Sequence, residues 1–471
     1  MYYQRPYNGE FPKGRGFQED DAVKSSADFS VNSNNGGPNN SSNNGGFNNG
    51  GYNPRGGGYP PRGRGNMPGR QSGSGFNHGG GSNGGNFGGG GGGQNPRAQQ
   101  NFIISPPDRT LIWVIGALVI IGMMAIFSAG SPRAVAEGVN PVFFTVRQFA
   151  WLIGGIFGAM FFTNYDYRKL RAYTYQLPII VLILLAVVQF TPLGLTVNEA
   201  KRWLVLGPIQ FQPSELAKPA VILMFASLFS QSSRLLDDKK MPAYIIFGLS
   251  LLLIYKQPNL SMIMLLIFTF AALYYMAGGS FKKLAMSASV AALLIVFTIR
   301  DYQKQRFLVW LDPNKDPLNA GYNIIQSLVA FVEGGFFGVG FGNSKQKLSW
   351  LPEGHTDFIF AVIAEEFGFL GCFFIIMLFS MFLHRSFIIA SRSPDMFGKL
   401  LAVGIAFSVG FQAFMNMAVA SSFIPATGIP LPFISYGGSS LFVSLCMFGV
   451  LLNISKKRVQ RIRPYAKKSA Y

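Results

Sequence analysis

The chain has 471 residues, enough for two or three ordinary domains, but half of its 56 glycines fall within the first hundred, and repeated apolar runs fill the remainder. With 14% aromatic and only 13% charged residues, an ordinary soluble globular protein is excluded. Most of the net charge of +19 lies downstream of residue 100, where 31 Lys and Arg face 16 Asp and Glu; in an apolar chain this points to cytoplasmic loops of a membrane protein, or to an anionic ligand.

Residues 1–105 read as a disordered Gly/Asn-rich cytoplasmic tail. Tracts such as Asn43-Asn44-Gly45-Gly46 and Gly88 to Gly93 carry too little apolar surface to offset the entropy of ordering a permissive backbone. Arg-Gly pairs at Arg55, Arg62 and Arg64, with Phe47, Tyr52, Phe76 and Phe87 between them, resemble segments that bind RNA or self-associate. The plainer reading is a flexible cytoplasmic extension that binds nothing specific, with weak binding to anionic lipid headgroups or partner proteins as the next alternative, and nucleic acid is not an expected partner. Polar residues follow Met1, so no cleavable signal peptide is predicted and insertion depends on internal segments.

Residues 106–456 are predicted to be an all-α polytopic membrane domain. Leu111 to Ala129 is an uncharged run of 19 residues, long enough to cross a hydrocarbon core of about 30 Å. Phe149 to Phe162, Tyr173 to Phe190, Ser214 to Phe229, Ala243 to Tyr255, Leu260 to Met276, Leu284 to Ile299, Phe358 to Leu383, Leu400 to Ala420 and Ser439 to Ile454 complete a set of about ten transmembrane helices. Basic residues follow every second run: Arg168, Lys169 and Arg171; Arg234, Lys239 and Lys240; Lys282 and Lys283; Arg385, Arg392 and Lys399; Lys456 to Arg463. The positive-inside rule then places the N- and C-termini in the cytoplasm, with residues 457–471 a basic C-terminal tail. Cys372 and Cys446 both lie in apolar runs and read as packing residues.

The large extracytoplasmic loop 300–356 breaks that charge pattern. It carries Arg300, Lys304, Arg306, Lys315, Lys345 and Lys347, and its length favours a functional segment. Ionisable groups at membrane depth need partners or water. Glu215 and Lys218, at i and i+3, can pair on one helical face, with Ser214 as a cap; Lys218 can instead face a cavity and meet an anionic headgroup. Lys256-Gln257-Pro258-Asn259 is a hairpin turn between short spans or a broken-span site. His355 and Asp357 stand at the outer mouth of the eighth span, and Asp357 reads either as a general base or as a helix-start acid. Deeper in that helix, Glu365 and Glu366 are expected in buried structural contacts, with Lys218, Gln412 or Asn416 as partners. Ser435-Tyr436-Gly437-Gly438 leads into the last span and can offer backbone amides to an anion.

In this order and spacing, several segments resemble the SEDS family (shape, elongation, division and sporulation), bacterial membrane proteins that include FtsW, RodA and SpoVE. They are Lys201-Arg202-Trp203 with Leu206-Gly207-Pro208, Gln212 to Lys218, Gln257-Pro258, Asp312-Pro313 with Asp316-Pro317, Gly321-Tyr322 with Gln326-Ser327, Gln346-Lys347-Leu348, Leu351 to Phe360 with Glu365-Glu366, and Pro430 to Ser440. The resemblance covers roughly residues 109 to 460. Asn343 to Leu348 and Leu431 to Gly438 look more like the FtsW branch.

The resemblance implies a peptidoglycan glycosyltransferase of the bacterial cytoplasmic (inner) membrane that polymerises lipid II on the outer face, for septal or elongation synthesis. It implies Asp357 as the essential acid, with Arg202, Lys218, Lys347, His355, Ser435 and Gly437 toward the substrate. A divalent cation, Mg or Mn, is an optional cofactor with no ligands assigned. A class B penicillin-binding protein transpeptidase and divisome or elongasome membrane proteins are the implied partners. A flippase for the lipid precursor and a scaffold that activates the transpeptidase are the competing readings. The family usually has Asp where this chain has Asn259, so no metal role is carried to that turn.

Overall fold

A computed structural model of the chain describes residues 102–197, 200–207, 209–231, 238–286, 301–317 and 321–459. The expected tail over 1–101, most of the seventh predicted span and the basic segment 460–471 lie outside the described residues.

The domain is helical. In chain order the α-helices are α1 (Arg109–Ala136), α2 (Phe143–Asn164), α3 (Gln176–Phe190), α4 (Pro213–Gln231), α5 (Met241–Lys256), α6 (Leu260–Met276), α7 (Asp301–Leu311), α8 (Tyr322–Gly334), α9 (Ile359–Arg392), α10 (Met396–Ala420) and α11 (Gly438–Lys456). Nine of the ten predicted apolar runs coincide with one of these. Among the described residues, α1, α2, α9, α10 and α11 are each long and apolar enough to cross a membrane, and a sixth span results if the 3-10 segment Tyr167–Tyr173 and α3, bent by 56°, are taken together.

The helices divide by depth. The apolar window of α11 is 83% buried and that of α10 72%, against 22% for α2. α10 and α11 therefore form the centre, while Phe157, Phe161 and Trp113 on the outer helices are exposed, as expected for side chains that face lipid rather than water. α2 packs closely along α11 because both carry small residues: a Cβ on Gly155 or Gly158 would strike Leu445 or Cys446, and one on Gly449 would strike the backbone of Ala159.

Two small sheets were not expected from hydropathy. β1 (Phe102–Ile104) pairs antiparallel with β5 (Lys457–Val459), so the chain enters and leaves the helical domain at one end, and β1 lies inside the segment expected to be disordered. β2 (Gly194–Val197), β3 (Ala200–Leu206) and β4 (Ile209–Phe211) form an antiparallel sheet between α3 and α4, with Leu195 opposite Trp203 and Leu204 opposite Phe211. The short apolar run Trp203 to Leu206, bounded in the sequence by Gly207-Pro208, carries that signal.

α9 is interrupted at Gly368, whose φ of 63° and ψ of −162° leave the helical region. The glycine-rich segment after α8 fills the break, with Val339 and Gly340 donating to the carbonyls of Glu365 and Glu366, and Phe369 donating to that of Gly335. Backbone groups freed by a broken helix are thus satisfied by protein, the condition for irregular chain at membrane depth.

Candidate active site

The connections between helices gather at two ends. At one, Asp108 pairs with Arg385, Asp395 with Arg168, and Lys456 donates to the carbonyl of Thr163. The other joins the loop after α1, the β2–β4 sheet, the α5–α6 turn, α7, the start of α9 and the segment 421–437, and it holds Asp357.

Three successive carbonyls fix the backbone there. His355 O accepts from Tyr436 N at 3.0 Å, Thr356 O from Ser435 Oγ at 2.6 Å, and Asp357 O from Asn416 Nδ2 at 2.8 Å. The carboxyl of Asp357, by contrast, makes no hydrogen bond or ion pair among the described residues. It does not cap α9, since the N-cap is Phe358 and no side chain bonds there. Gly428 lies against it, a Cβ at that position falling 3.4 Å from Oδ2; its left-handed φ of +72° is what favours glycine there.

Asp357 is half-buried, and its carboxyl is pushed up to about 7, first by desolvation and then by Glu353, with Arg306 and Arg202 opposing. Both guanidinium groups are themselves oriented by loop carbonyls. Arg202 on β3 donates to Gln257 O at 2.9 Å and to Pro258 O, and Arg306 on α7 donates to Ala426 O at 3.2 Å. Glu353 accepts from Thr356 Oγ1 at 2.9 Å and lies 3.9 Å from Arg133.

His355 is buried between Phe144 and Tyr436, with ring centroids 4.9 and 5.6 Å away. Burial pushes its imidazole down to about 4, so the ring is neutral at neutral pH and packs rather than supplying charge. Ser435 and Gly437 hold the loop instead of presenting free donors: Ser435 Oγ also accepts from Leu431 N at 2.7 Å, and Gly437 N donates to Gln148 Oε1 at 3.1 Å.

The two lysines expected near an anion face elsewhere. Lys218 is fully buried, 2.5 Å from Glu215 Oε2 and 2.9 Å from Gln412 Oε1. Lys347 is buried 2.9 Å from Glu366 Oε1 and 2.8 Å from Ser128 Oγ. Glu366 therefore pairs with Lys347 rather than with Lys218, and Glu365 accepts from Ser344 Oγ and, at 2.6 Å, from Lys345 N. The two glutamates bind the end of the long loop because the α9 break brings it beside them. Gln412 and Asn416 serve the opposite wall, and Ser214 accepts from Gln212 Nε2 instead of capping α4. Asn259 caps α6, its Oδ1 accepting from Met262 N at 3.3 Å.

Among the described residues, no group of three or more His, Cys, Asp and Glu side chains gathers to hold a metal. Near Asp357 the second carboxylate is Glu353, engaged by Thr356 and Arg133, so the described residues offer one uncommitted carboxylate there and no ligand cluster.

Residues 109–460 match a family model described as cell cycle protein, FtsW/RodA/SpoVE. A probable peptidoglycan glycosyltransferase FtsW of Trichlorobacter lovleyi is 37% identical over 359 residues, covering 75% of this chain and 94% of the relative. Stage V sporulation protein E of Bacillus subtilis is 36% identical over 355 residues, covering 74% and 97%. Among solved structures, a chain from a peptidoglycan synthase complex that coordinates polymerization and crosslinking superposes with a TM-score of 0.62 at 31% identity, over 74% of this chain and 98% of that one. The rod shape determining protein RodA of Thermus thermophilus gives 0.57 at 29% identity, over 75% and 98%.

Proposed function

Because the chain belongs to the FtsW/RodA/SpoVE family of cell cycle proteins, we propose that it is a peptidoglycan glycosyltransferase that polymerises lipid II at the outer face of the cytoplasmic membrane. The observation that carries this reading is the state of Asp357. A half-buried aspartate whose carboxyl has no hydrogen-bond or ion-pair partner among the described residues and is pushed up to about 7 is matched to proton transfer near neutral pH.

In the proposed step, ionised Asp357 takes the proton of the acceptor GlcNAc 4-hydroxyl. The oxygen bonds to the anomeric carbon of the donor MurNAc as the bond from that carbon to the pyrophosphate oxygen breaks, with inversion. Undecaprenyl pyrophosphate leaves with the bonding electrons. Its charge needs fixed cations, and the guanidinium groups of Arg202 and Arg306 are the cations that act on the carboxyl, whereas Lys218 and Lys347 are committed to buried pairs. No step is routed through a metal.

The topology that suits this chemistry has ten spans, both termini in the cytoplasm and the Asp357 end outside. Support comes from the pairing of β1 with β5 and from the clustering of the predicted inner and outer connections at separate ends. A class B transpeptidase partner belongs to the same reading, by analogy with the solved synthase complex.

The test is polymerisation of lipid II by the purified full-length chain. Asp357→Asn is expected to abolish it while leaving folding and transpeptidase binding intact. Unchanged polymer yield overturns the general-base role, and transbilayer movement of lipid II without polymer from the wild type would favour a flippase.

A further inference from the structure

Asn416 lies near the end of the central helix α10, 1% exposed, and its side chain joins two segments that are far apart in sequence. Nδ2 donates to Asp357 O at 2.8 Å and to Ile429 O at 2.7 Å. Both neighbours are carbonyl acceptors, so the amide orientation is unambiguous. One turn earlier on the same face, Gln412 Nε2 donates to the next carbonyl, Pro430 O, at 2.9 Å, while its Oε1 accepts from Lys218. The pair Glu215–Lys218 thus anchors Gln412, and α10 presents two amides at i and i+4 to consecutive peptides of the 421–437 segment.

The consequence falls on Asp357. Among the described residues its carboxyl has no hydrogen bond that would orient it, so its direction is set by its own backbone. His355 and Thr356 are held by Tyr436 and Ser435, but the Asp357 carbonyl is held by Asn416. Without that bond the peptide between Asp357 and Phe358 keeps only the 3.3 Å bond from Phe358 N to Glu353 O, at the point where α9 has no side-chain cap. We propose that Asn416 is a positioning residue for glycosyl transfer: its single amide nitrogen locks the Asp357 peptide against the Ile429 peptide and so aims the Asp357 carboxylate at the acceptor hydroxyl.

This rests on the reading of Asp357 as the general base, and the experiment separates the two. Lipid II polymerisation by purified full-length protein is measured across pH 5.5 to 9 for wild type, Asp357→Asn, Asn416→Leu, Asn416→Asp and Asn453→Leu. Asn453 is the matched control, a buried asparagine on α11 at the other end, accepting from Tyr167 N at 3.0 Å and donating to Thr163 O at 2.8 Å.

A displacement of about 1 Å at a reacting group costs up to about a hundredfold. Asn416→Leu is accordingly expected to lower kcat by about 10- to 100-fold with KM within about twofold, whereas Asn453→Leu lowers only the melting temperature. Asn416→Asp sets a carboxyl against two carbonyl oxygens. As it ionises it disfavours a second charge on Asp357, so the acid limb of the kcat profile moves to higher pH. The other charged groups that face Asp357, namely Glu353, Arg202 and Arg306, with His355 and Tyr436 on the flanking segments, are unchanged in these variants. If Asn416→Leu loses no more kcat than Asn453→Leu, or if Asn416→Asp leaves the profile in place, the positioning role is overturned. Polymerisation by Asp357→Asn at the wild-type rate overturns instead the base assignment. If Asn416→Leu does not fold, the pH profile of Asn416→Asp decides.

Discussion

The two ends of the helical domain use the same residue type in opposite ways. Asp108 and Asp395 each stand immediately before a helix, accept from its first-turn amides (Leu111 N at 3.1 Å, Gly398 N at 2.8 Å) and pair with Arg385 and Arg168. Asp357 also stands at a helix start, yet among the described residues it caps nothing and pairs with nothing. Around it the polar side chains of Asn416, Ser435 and Gln148 are aimed at the backbone. At one end acids stabilise the fold; at the other the fold holds an acid away from partners. That difference separates a structural carboxylate from a chemical one.

The sharpest way to break the comparison is to exchange the effects. Asp357→Asn is expected to reduce lipid II polymerisation by at least about a thousandfold, within the range that general-base catalysis supplies, with no loss of melting temperature. Asp108→Ala is expected to do the reverse, costing about 2 kcal/mol of stability through a lost cap and ion pair and leaving the turnover of the folded fraction unchanged. Thermal melts beside polymer assays check both, and a stable, inactive Asp108→Ala would erase the distinction.

Much of this contrast is legible in the sequence, but not its decisive part. Hydropathy finds α1 and α10 because their apolar runs are about as long as the hydrocarbon core is thick, and basic residues separate the two sets of loops. Asp357 is legible as a candidate from its place beside a cationic loop. What hydropathy cannot give is partner choice across the fold. Glu366 meets Lys347, and not Lys218, only because Gly368 breaks α9 and lets the loop after α8 reach its carbonyls. Arg306 is one cation among six in that loop until Ala426 fixes it near Asp357. Asn416 reads as a polar residue in a span, and only the return of 421–437 gives it two carbonyls to bind.

A smaller effect should appear in the pH dependence of stability. The Asp357 carboxyl is raised from its usual 3.8 to about 7 in the folded chain, so the folded state keeps a proton that the unfolded state releases in between. The contribution of this group is fully present below about pH 4 and is lost as pH rises through about 7. Polymerisation takes the opposite course, rising to a plateau above about pH 7 as the base ionises. Asp357→Asn, which cannot ionise, should therefore melt above the wild type at pH 8 and close to it at pH 4.5. Parallel melting curves for the two proteins across this range would show that the site does not hold the carboxyl against its preference.

The smallest expected change is at the turn that supports Arg202. Asn259 already caps α6 through Oδ1, and Arg202 is held by the carbonyls of Gln257 and Pro258 rather than by the side chain at 259. Asn259→Asp keeps the capping oxygen and adds a charge favourable at a helix N-terminus, but residue 259 is only 6% exposed, and desolvating that charge opposes the gain. Polymerisation is expected to stay within about threefold of wild type, since neither guanidinium loses its carbonyl partners. A much larger rise would mean that a carboxylate at the turn acts on Arg202 directly, moving the turn from the supporting wall of the site into its charge balance.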